Sequence, residues 1–244
     1  MTRSRRPQGN RSHGSKVGPG GRLKVKLRST ERSAASARWL ERQLNDPYVA
    51  EAKRSGLRSR AAFKLMQLDD RFGLIRLGFR VVDLGAAPGG WTQVVVERAR
   101  ADRGQGRVVA VDRDPMEPVA GSVVLQMDFL DADAPARIGE ALGGAADLIL
   151  SDMAAAGTGH AQTDHLRIMG LAEAAYDFAA EVLKPGGAFV AKVLRGGTER
   201  HLLELLKRNF AAVRHVKPPA SRSDSAEIYV VATGFRSVKG IKRV

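Results

Sequence analysis

The stretch RVVDLGAAPGGW, residues Arg80–Trp91, indicates a buried strand followed by a glycine-rich loop and the start of a helix. Glycines let a backbone come close to a ligand, and the helix that follows begins beside that ligand. The glycine spacing differs from the G-x-G-x-x-G pattern of dinucleotide sites, so it favours a ligand without a pyrophosphate. A glycine-rich turn that binds nothing is the alternative interpretation.

Outward from this stretch, short strands rich in Val, Ile and Leu alternate with helical patterns, which predicts a mostly parallel sheet with helices on both faces. Only about ten residues, Lys217–Ala226, join the last two strands, too few for a parallel crossover. We therefore predict a Rossmann-like α/β fold, typical of methyltransferases, with a seven-stranded, mostly parallel sheet whose seventh strand is antiparallel. The predicted strands are Arg80–Leu84, Arg107–Val111, Ser122–Gln126, Asp147–Ser151, Ala188–Leu194, Ala211–Val216 and Glu227–Thr233. The predicted helices are Ser36–Leu44, Arg60–Phe72 (capped by Ser59), Gly90–Arg100, Ala134–Leu142, Thr163–Leu183 and Thr198–Asn209.

The composition excludes several classes of protein. The 244 residues include no cysteine, which excludes disulfides, thiolate metal sites and cysteine nucleophiles. The 5 histidines lack the H-x-x-x-H and H-E-x-x-H spacings of zinc enzymes, so we expect no metal. No apolar run reaches the roughly 18 residues of a transmembrane helix, so we expect no membrane partner and a cytoplasmic location.

The formal net charge of +14 is concentrated at the two ends of the chain. Residues 1–60 carry 16 basic and 4 acidic side chains, and residues 195–244 carry 11 and 4, whereas residues 61–194 carry 13 and 18. Two basic ends favour a polyanionic partner, because each neutralised phosphate releases counterions. A tail that only keeps the protein soluble is the alternative.

Residues 1–35 are rich in Gly, Ser, Pro and Arg, so we predict a basic, disordered RNA-binding arm there. An organelle transit peptide has a similar composition, but the proline and glycine content disfavours its amphipathic helix. Residues 36–244 are predicted to form one domain, and the high net charge favours a monomer. The candidate phosphate ligands, chosen by charge only, are Lys53, Arg54, Arg58, Arg60, Arg195, Arg200 and Arg222.

Acidic residues follow two of the predicted strands. Asp112 ends the second strand, and Asp128 follows the third. Ligands of open α/β sheets bind beyond the carboxyl ends of parallel strands, and an acid about 20 residues after the glycines holds ribose hydroxyls. Asp128 is placed to accept a hydrogen bond from an adenine amino group. Each acid alone could be a surface or turn carboxylate, but together they indicate a nucleoside site.

A second polar set converges on the same edge of the sheet. Asp152 ends the fourth strand, and Lys192 lies inside the apolar fifth strand, where an unpartnered ammonium would be costly. An antiparallel seventh strand returns Glu227 to this edge, and Lys64 lies on the apolar side of the helix before the sheet. A structural ion pair between Lys192 and Glu227, or a solvated Lys64, is the alternative. Two lysines and two carboxylates on one edge favour a catalytic site.

These residues give the chain a resemblance to a known family across residues 48–235. It resembles the bacterial FtsJ/RlmE ribosomal RNA large-subunit methyltransferases, which methylate a uridine ribose 2′-oxygen of 23S ribosomal RNA with S-adenosylmethionine. The ordered Lys-Asp-Lys-Glu set is far more specific than the glycine loop. The matching segments are Ser59–Leu65, Val82–Trp91, Asp112–Met116, Asp128–Phe129, Ser151–Ala154, Lys192–Val193 and Glu227–Gly234.

The resemblance implies S-adenosylmethionine as the cofactor and the assembled 50S ribosomal subunit as the partner. The cofactor contacts that it implies are Gly89, Trp91, Asp112, Asp128 and Asp152. The catalytic tetrad that it implies is Lys64, Asp152, Lys192 and Glu227, with Lys192 as the central proton acceptor. The chain departs from the family in its longer basic arm and in residues 154–160, which replace a loop that contains Asn.

Several alternatives stay open from the sequence. Lys192 could act as a neutral base or as a cation that stabilises the developing alkoxide. The substrate could be another RNA, such as a transfer RNA anticodon loop or an mRNA cap. A ribosome-assembly factor that binds cofactor and RNA without turnover is a rival from another class, and an NAD-dependent oxidoreductase is disfavoured by the spacing of Gly85–Gly90.

Overall fold

The computed structural model describes residues 40–41, 43–155, 157–195 and 200–236. The chain divides into two units between Pro47 and Tyr48, and the sheet with its flanking helices belongs to the second unit. The predicted basic arm, residues 1–35, lies outside the described residues. The arm and the domain boundary that follows it therefore stay predictions.

Seven strands form one sheet in the order β3-β2-β1-β4-β5-β7-β6. The runs of Val, Ile and Leu make its central strands buried on both faces, as expected of a parallel sheet covered by helices. Strand β7 pairs antiparallel with both β5 and β6, whereas the other pairs are parallel, so the predicted fold is confirmed. The strands are Arg80–Leu84 (β1), Arg107–Asp112 (β2), Ser122–Gln126 (β3), Ala146–Ser151 (β4), Leu183–Leu194 (β5), Phe210–Val216 (β6) and Glu227–Phe235 (β7).

Helices cover both faces of the sheet and bury two hydrophobic cores. One core contains Ile138, Phe189 and Leu206, and the other contains Leu65 and Trp91. None of the helices in the described ranges has the length and apolar character needed to span a bilayer. The helices are Pro47–Arg54 (α1), Ala61–Phe72 (α2), Gly90–Ala99 (α3), Ala134–Leu142 (α4), Ala161–Val182 (α5) and Arg200–Asn209 (α6), with a short 3₁₀ turn at Ala101–Arg103.

The structure corrects the predicted junction between the long helix and the fifth strand. Helix α5 ends at Val182, one residue before the predicted end, and β5 begins at Leu183 rather than at Ala188. Leu183 pairs with Ala146, and regular pairing resumes after a shift in register. The Lys-Pro-Gly-Gly segment therefore lies within the strand as an irregularity, because the neighbouring strand supplies pairing on both sides of it.

The predicted cap of α2 is also corrected. The helix begins at Ala61, and its first turn is closed by backbone bonds, in which the N–H of Ala62 donates to the carbonyl oxygen of Ser59 at 3.3 Å. In the part of the chain that the structure describes, the buried Ser59 hydroxyl has no hydrogen-bond partner. The side chain instead packs against Gly90, where any Cβ would collide with it.

The topology brings distant segments to one edge of the sheet. β1 and β4 are adjacent, and the N–H of Asp152 donates to the carbonyl oxygen of Leu84 at 3.0 Å. On the neighbouring pair, Lys192 of β5 lies directly opposite Tyr229 of β7, and Leu194 lies opposite Glu227. The carboxyl ends of β1, β4 and β5 therefore meet the start of β7, which is where the polar residues converge.

Candidate active site

A cavity of about 740 Å³ opens at the carboxyl ends of β1, β2, β3 and β4. This volume lies within the roughly 300–1,000 Å³ typical of small-molecule sites. The loops after these four strands form its walls, together with a face of α5 that includes Arg167. Of the residues predicted to contact a cofactor, Asp112, Asp128 and Asp152 line the cavity.

Two of these carboxylates are held by backbone amides. Oδ2 of Asp112 accepts a hydrogen bond from the N–H of Ala87 at 2.9 Å, and its Oδ1 accepts one from the N–H of Asp114 at 2.9 Å. Oδ1 of Asp128 accepts one from the N–H of Leu130 at 2.9 Å. An ionised carboxylate offers about four lone-pair sites, so both retain acceptors for a ligand. Fixed acceptors at adjacent strand ends suit the hydroxyl and amino hydrogens of a nucleoside.

The loop after β1 needs glycine where it approaches the loop after β4. Gly85 has a φ of 77°, and a Cβ there would lie 2.7 Å from backbone atoms of Met153. Its N–H donates to the carbonyl oxygen of Val111 at 2.9 Å, as does the N–H of Ala86 at 3.1 Å. Because only glycine fits this conformation and this gap, the loop stays close to both neighbouring strand ends and leaves the cavity open.

Gly89 and Trp91 are not among the residues that line the cavity. The indole N–H of Trp91 donates to the carbonyl oxygen of Ala61 at 2.8 Å, and its ring centroid lies 5.6 Å from that of Tyr229. At Gly89, with a φ of 105°, a Cβ would lie 2.8 Å from the guanidinium of Arg58. Gly89 and Trp91 therefore pack on the side of the loop that faces away from the cavity. Their predicted contacts with the cofactor stay predictions.

The structure brings together the four residues predicted as the tetrad. Nζ of Lys192 lies 3.2 Å from Oδ1 of Asp152, and Nζ of Lys64 lies 3.3 Å from Oε2 of Glu227. Their side chains are 5% (Lys192), 17% (Asp152), 10% (Lys64) and 33% (Glu227) exposed. Neither alternative from the sequence holds, since Lys192 pairs with Asp152 rather than Glu227 and Lys64 is buried. Charges so little exposed to water interact strongly, which is typical of catalytic clusters.

Comparison with known proteins gives this site its context. The profile of the family described as FtsJ-like methyltransferase matches residues 57–235. The chain belongs to this family. The resemblance predicted from the motifs is therefore confirmed, and the protein is a methyltransferase.

Close relatives of this methyltransferase share most of its length. A protein of Paramagnetospirillum magneticum named ribosomal RNA large subunit methyltransferase E is 62% identical over 225 residues, which cover 90% of this chain and 92% of that one. A protein of the same name from Rhodospirillum rubrum is 60% identical over 220 residues, with 89% and 84% covered. A crystal structure described as that of a ribosomal RNA methyltransferase from Plasmodium falciparum has a TM-score of 0.65 at 28% identity, covering 74% of this chain and 100% of that one.

Sequence reasoning missed Tyr229, which lies between the two ion pairs of this methyltransferase. Its hydroxyl donates to Oδ1 of Asp152 at 2.7 Å and accepts a hydrogen bond from Nζ of Lys64 at 3.2 Å. Burial raises its pKa well above the usual value, and the charges of Asp152 and Glu227 act in the same direction. A signal was present in the sequence, because Tyr229 lies two residues after Glu227 on one strand and so shares its face.

Asp83, the acid inside β1, was also missed. It is fully buried; Oδ2 accepts a hydrogen bond from the Thr92 hydroxyl at 2.7 Å, and Oδ1 has no partner among the described residues. The pKa of Asp83 is raised to about 7, mainly by burial and in smaller part by the charges of Asp152 and Asp112, while the Thr92 hydrogen bond acts in the opposite direction. At neutral pH the carboxyl beneath the glycine loop is therefore close to its midpoint, with both the protonated and the ionised form populated.

Two of the arginines predicted as phosphate ligands from the charge pattern donate hydrogen bonds to backbone carbonyl oxygens instead. The guanidinium of Arg58 donates to the carbonyl oxygen of Pro118 at 2.8 Å, to that of Pro88 at 3.2 Å and to that of Glu117. Arg60 donates to the carbonyl oxygen of Ala220. These two side chains therefore hold loops around the site. The other candidates stay predictions: Lys53, Arg54, Arg195, Arg200 and Arg222.

Proposed function

We propose that this methyltransferase transfers a methyl group from S-adenosylmethionine to the 2′-oxygen of a uridine ribose in 23S ribosomal RNA. One observation carries the proposal. Asp152 lines the cavity at the strand ends, and the same carboxylate pairs with Lys192 at 3.2 Å. A single side chain thus joins the space for a nucleoside-bearing donor to the group that handles the acceptor's proton.

The residues of the cavity fit this cofactor. Two backbone amides position Asp112 to accept hydrogen bonds from the ribose hydroxyls of the adenosyl group. One backbone amide positions Asp128 to accept a hydrogen bond from the adenine amino group. Met127 and Phe129 flank Asp128 in the cavity wall and supply apolar surface for the base. When bound, S-adenosylmethionine supplies a methyl group that its sulfonium charge makes electrophilic.

The catalytic work of the chain is to orient and deprotonate the acceptor. Alignment of the ribose oxygen with the methyl carbon supplies much of the rate, because positioning alone removes a large entropic barrier. Nζ of Lys192 either takes the hydroxyl proton as a neutral amine, or stabilises the developing alkoxide as a cation while the hydroxyl proton leaves to water. The carboxylate and the backbone carbonyl oxygen of Asp152 fix Nζ in place, at 3.2 and 2.7 Å. Both chemical roles are compatible with this arrangement.

The choice of substrate rests on the relatives and on charge. The two relatives from Paramagnetospirillum magneticum and Rhodospirillum rubrum are named for the large-subunit ribosomal RNA. The net charge of +14 suits a polyanionic partner on which phosphate contacts position the strand. The target ribose must be exposed in a loop or in a flipped nucleotide. We place the reaction on the assembled 50S subunit, in the cytoplasm, with the enzyme as a monomer.

The test uses 50S subunits from cells that lack this protein. Purified full-length enzyme and S-adenosylmethionine with a radiolabelled methyl group are added to these subunits, to naked 23S ribosomal RNA, to transfer RNA and to capped transcripts. The expected result is transfer to one ribose of the 50S subunit, located by reverse transcription that stalls at 2′-O-methyl groups. More than one methyl transferred per enzyme molecule is expected and excludes a non-catalytic assembly factor.

Each other outcome contradicts a defined part of the proposal. Preferential transfer to transfer RNA or to a cap overturns the substrate, and transfer to a base overturns the 2′-oxygen. Equal transfer to naked 23S ribosomal RNA overturns the requirement for an assembled subunit. No transfer to any substrate, with the cofactor bound, overturns the enzymatic function.

A further inference from the structure

The hydroxyl of Tyr229 is the connection between the two ion pairs of the active site. It accepts a hydrogen bond from Nζ of Lys64 at 3.2 Å and donates one to Oδ1 of Asp152 at 2.7 Å. On one side of it, Lys64 pairs with Glu227, and on the other, Asp152 pairs with Lys192. The five polar groups therefore form a chain in which both hydrogen-bonding functions of the phenol are used.

Lys64 reaches the rest of the cluster through this hydroxyl. Among residues 40–41, 43–155, 157–195 and 200–236, the one carboxylate within 4.0 Å of its ammonium is that of Glu227. Lys64 also does not line the cavity. The contacts that connect Lys64 to Lys192 in the described residues run through the Tyr229 hydroxyl and the Asp152 carboxylate.

The surroundings of Tyr229 fix the direction of its hydrogen bonds. The ring is fully buried and packs against Trp91, with 5.6 Å between ring centroids. Burial and the adjacent carboxylates raise the pKa of Tyr229 well above its usual value, so the phenol keeps its proton and remains a donor. A lysine ammonium has no acceptor, so the bond to Lys64 leaves the phenol proton for Asp152.

We propose that Tyr229 is a positioning residue that transmits the charge of Lys64 to Asp152 and thereby holds Asp152 in the orientation that Lys192 needs. A hydroxyl that accepts from a cation is polarised and becomes a stronger donor. This bond satisfies part of the negative charge of Asp152, which would otherwise act on Lys192 alone. The cluster has two further neighbours: Asp83, with its raised pKa, interacts with Asp152, and the guanidinium of Arg60 interacts with Tyr229. The inference rests on the proposed methyl transfer.

The test is a double-mutant cycle of Tyr229→Phe and Lys64→Met, measured by single-turnover methyl transfer to 50S subunits. Phenylalanine keeps the buried ring and removes only the hydroxyl. Each single variant is expected to slow transfer about tenfold to hundredfold, because a small misplacement of catalytic groups costs this much. The double variant is expected to be no slower than the slower single one. The KM values for the cofactor and for the subunit are expected to stay within twofold, so that the loss falls on the rate.

Tyr176→Phe is the matched control. The Tyr176 hydroxyl is also buried and hydrogen-bonded, to Asn209, but it lies in the core on the other face of the sheet. This variant is expected to transfer methyl groups at the wild-type rate. A Tyr229→Phe enzyme at the wild-type rate, or a double variant whose loss is the product of the two single losses, overturns the inference. The inference is also overturned if Tyr229→Phe lowers the Tm more than Tyr176→Phe does and this loss of stability accounts for its lower rate.

A ligand-free measurement separates this inference from the proposed function. The same cycle is repeated with the Tm of the free protein. The decrease in the double variant is expected to be smaller than the sum of the single decreases, whereas Lys64→Met with Tyr176→Phe is expected to be additive. If the wild type transfers no methyl group, the proposed function fails, but the Tm cycle still measures the coupling between Tyr229 and Lys64. If the Tm decreases of Tyr229→Phe and Lys64→Met are additive in the double variant, the coupling between the two residues is overturned.

Discussion

Lys192 and Asp152 are joined at two points. The ammonium of Lys192 lies 3.2 Å from Oδ1 of the Asp152 carboxylate and 2.7 Å from the backbone carbonyl oxygen of the same residue. Two acceptors on one residue fix the position of the nitrogen in a way that a single flexible ion pair does not. The ammonium of Lys192 is therefore held by Asp152, the residue at the end of β4 that also lines the cavity.

Lys192→Met is expected to lower the rate of methyl transfer by about 10²- to 10⁴-fold, because it removes the group that handles the hydroxyl proton. The affinity for S-adenosylmethionine, measured by calorimetry, is expected to change by no more than a few-fold. Lys184→Met makes the same change at the other end of β5; it breaks an ion pair with Asp147, so it is expected to lower the Tm but to keep the rate of transfer in the folded enzyme. Full activity of Lys192→Met would show that Lys192 is not a catalytic residue.

Asp128→Asn is expected to weaken the binding of S-adenosylmethionine about ten- to a hundredfold. The substitution keeps the shape of the side chain but removes a charged acceptor, and hydrogen bonds to charged groups contribute roughly 1.5–3 kcal/mol. Asp131→Asn, at an exposed position of the same loop, is the control and is expected to bind normally. Calorimetric titration measures both. Equal affinity of Asp128→Asn and the control would exclude the assigned contact.

Gly85→Ala is expected to destabilise the fold by roughly 1–3 kcal/mol and to weaken cofactor binding. Its φ of 77° suits glycine, and the added Cβ would lie 2.7 Å from the Met153 backbone. Gly139→Ala is the control, because Gly139 lies in α4 and a Cβ added there would have open space, with nothing within 4 Å. That variant is expected to gain roughly 0.5–1 kcal/mol. Urea denaturation compares the two, and a neutral Gly85→Ala would contradict the tight loop.

Asp83→Asn is expected to stabilise the protein at alkaline pH but not at acidic pH. The pKa of Asp83 is raised by burial from 3.8 to about 7, so the native state holds a proton that the unfolded chain has released. Stability of the wild type therefore falls as the pH rises from about 4 to about 7, by on the order of 4 kcal/mol in total. The asparagine variant lacks this loss and keeps an acceptor for Thr92.

The measurement is the difference in Tm between Asp83→Asn and wild type at pH 5 and at pH 8. The difference is expected to favour the variant more strongly at pH 8 than at pH 5, because most of the wild-type loss of stability occurs between these two pH values. Asp131→Asn, at an exposed site, supplies the baseline. A difference that does not grow with pH would show that Asp83 titrates like a solvent-exposed acid.

Local patterns predicted the elements of the site better than their junctions. The apolar strands and the short Lys217–Ala226 link predicted the antiparallel β7. The same reasoning placed the start of β5 five residues too late, at Ala188, because the Lys-Pro-Gly-Gly segment is a turn signal that pairing with β4 overrides. The cap assigned to Ser59 failed for a similar reason, since packing against Gly90 determines where its side chain points.

Patterns in the chain were enough to predict the alternation of strands and helices, and with it the convergence of Lys64, Asp152, Lys192 and Glu227 on one edge. They were enough because periodicity and strand polarity are properties of short segments. The folded arrangement was needed to show which lysine pairs with which acid, that Tyr229 joins the two pairs, and that Asp83 is buried enough to hold a proton. Those properties depend on distances and solvent exclusion between segments far apart in the chain, which no local pattern contains.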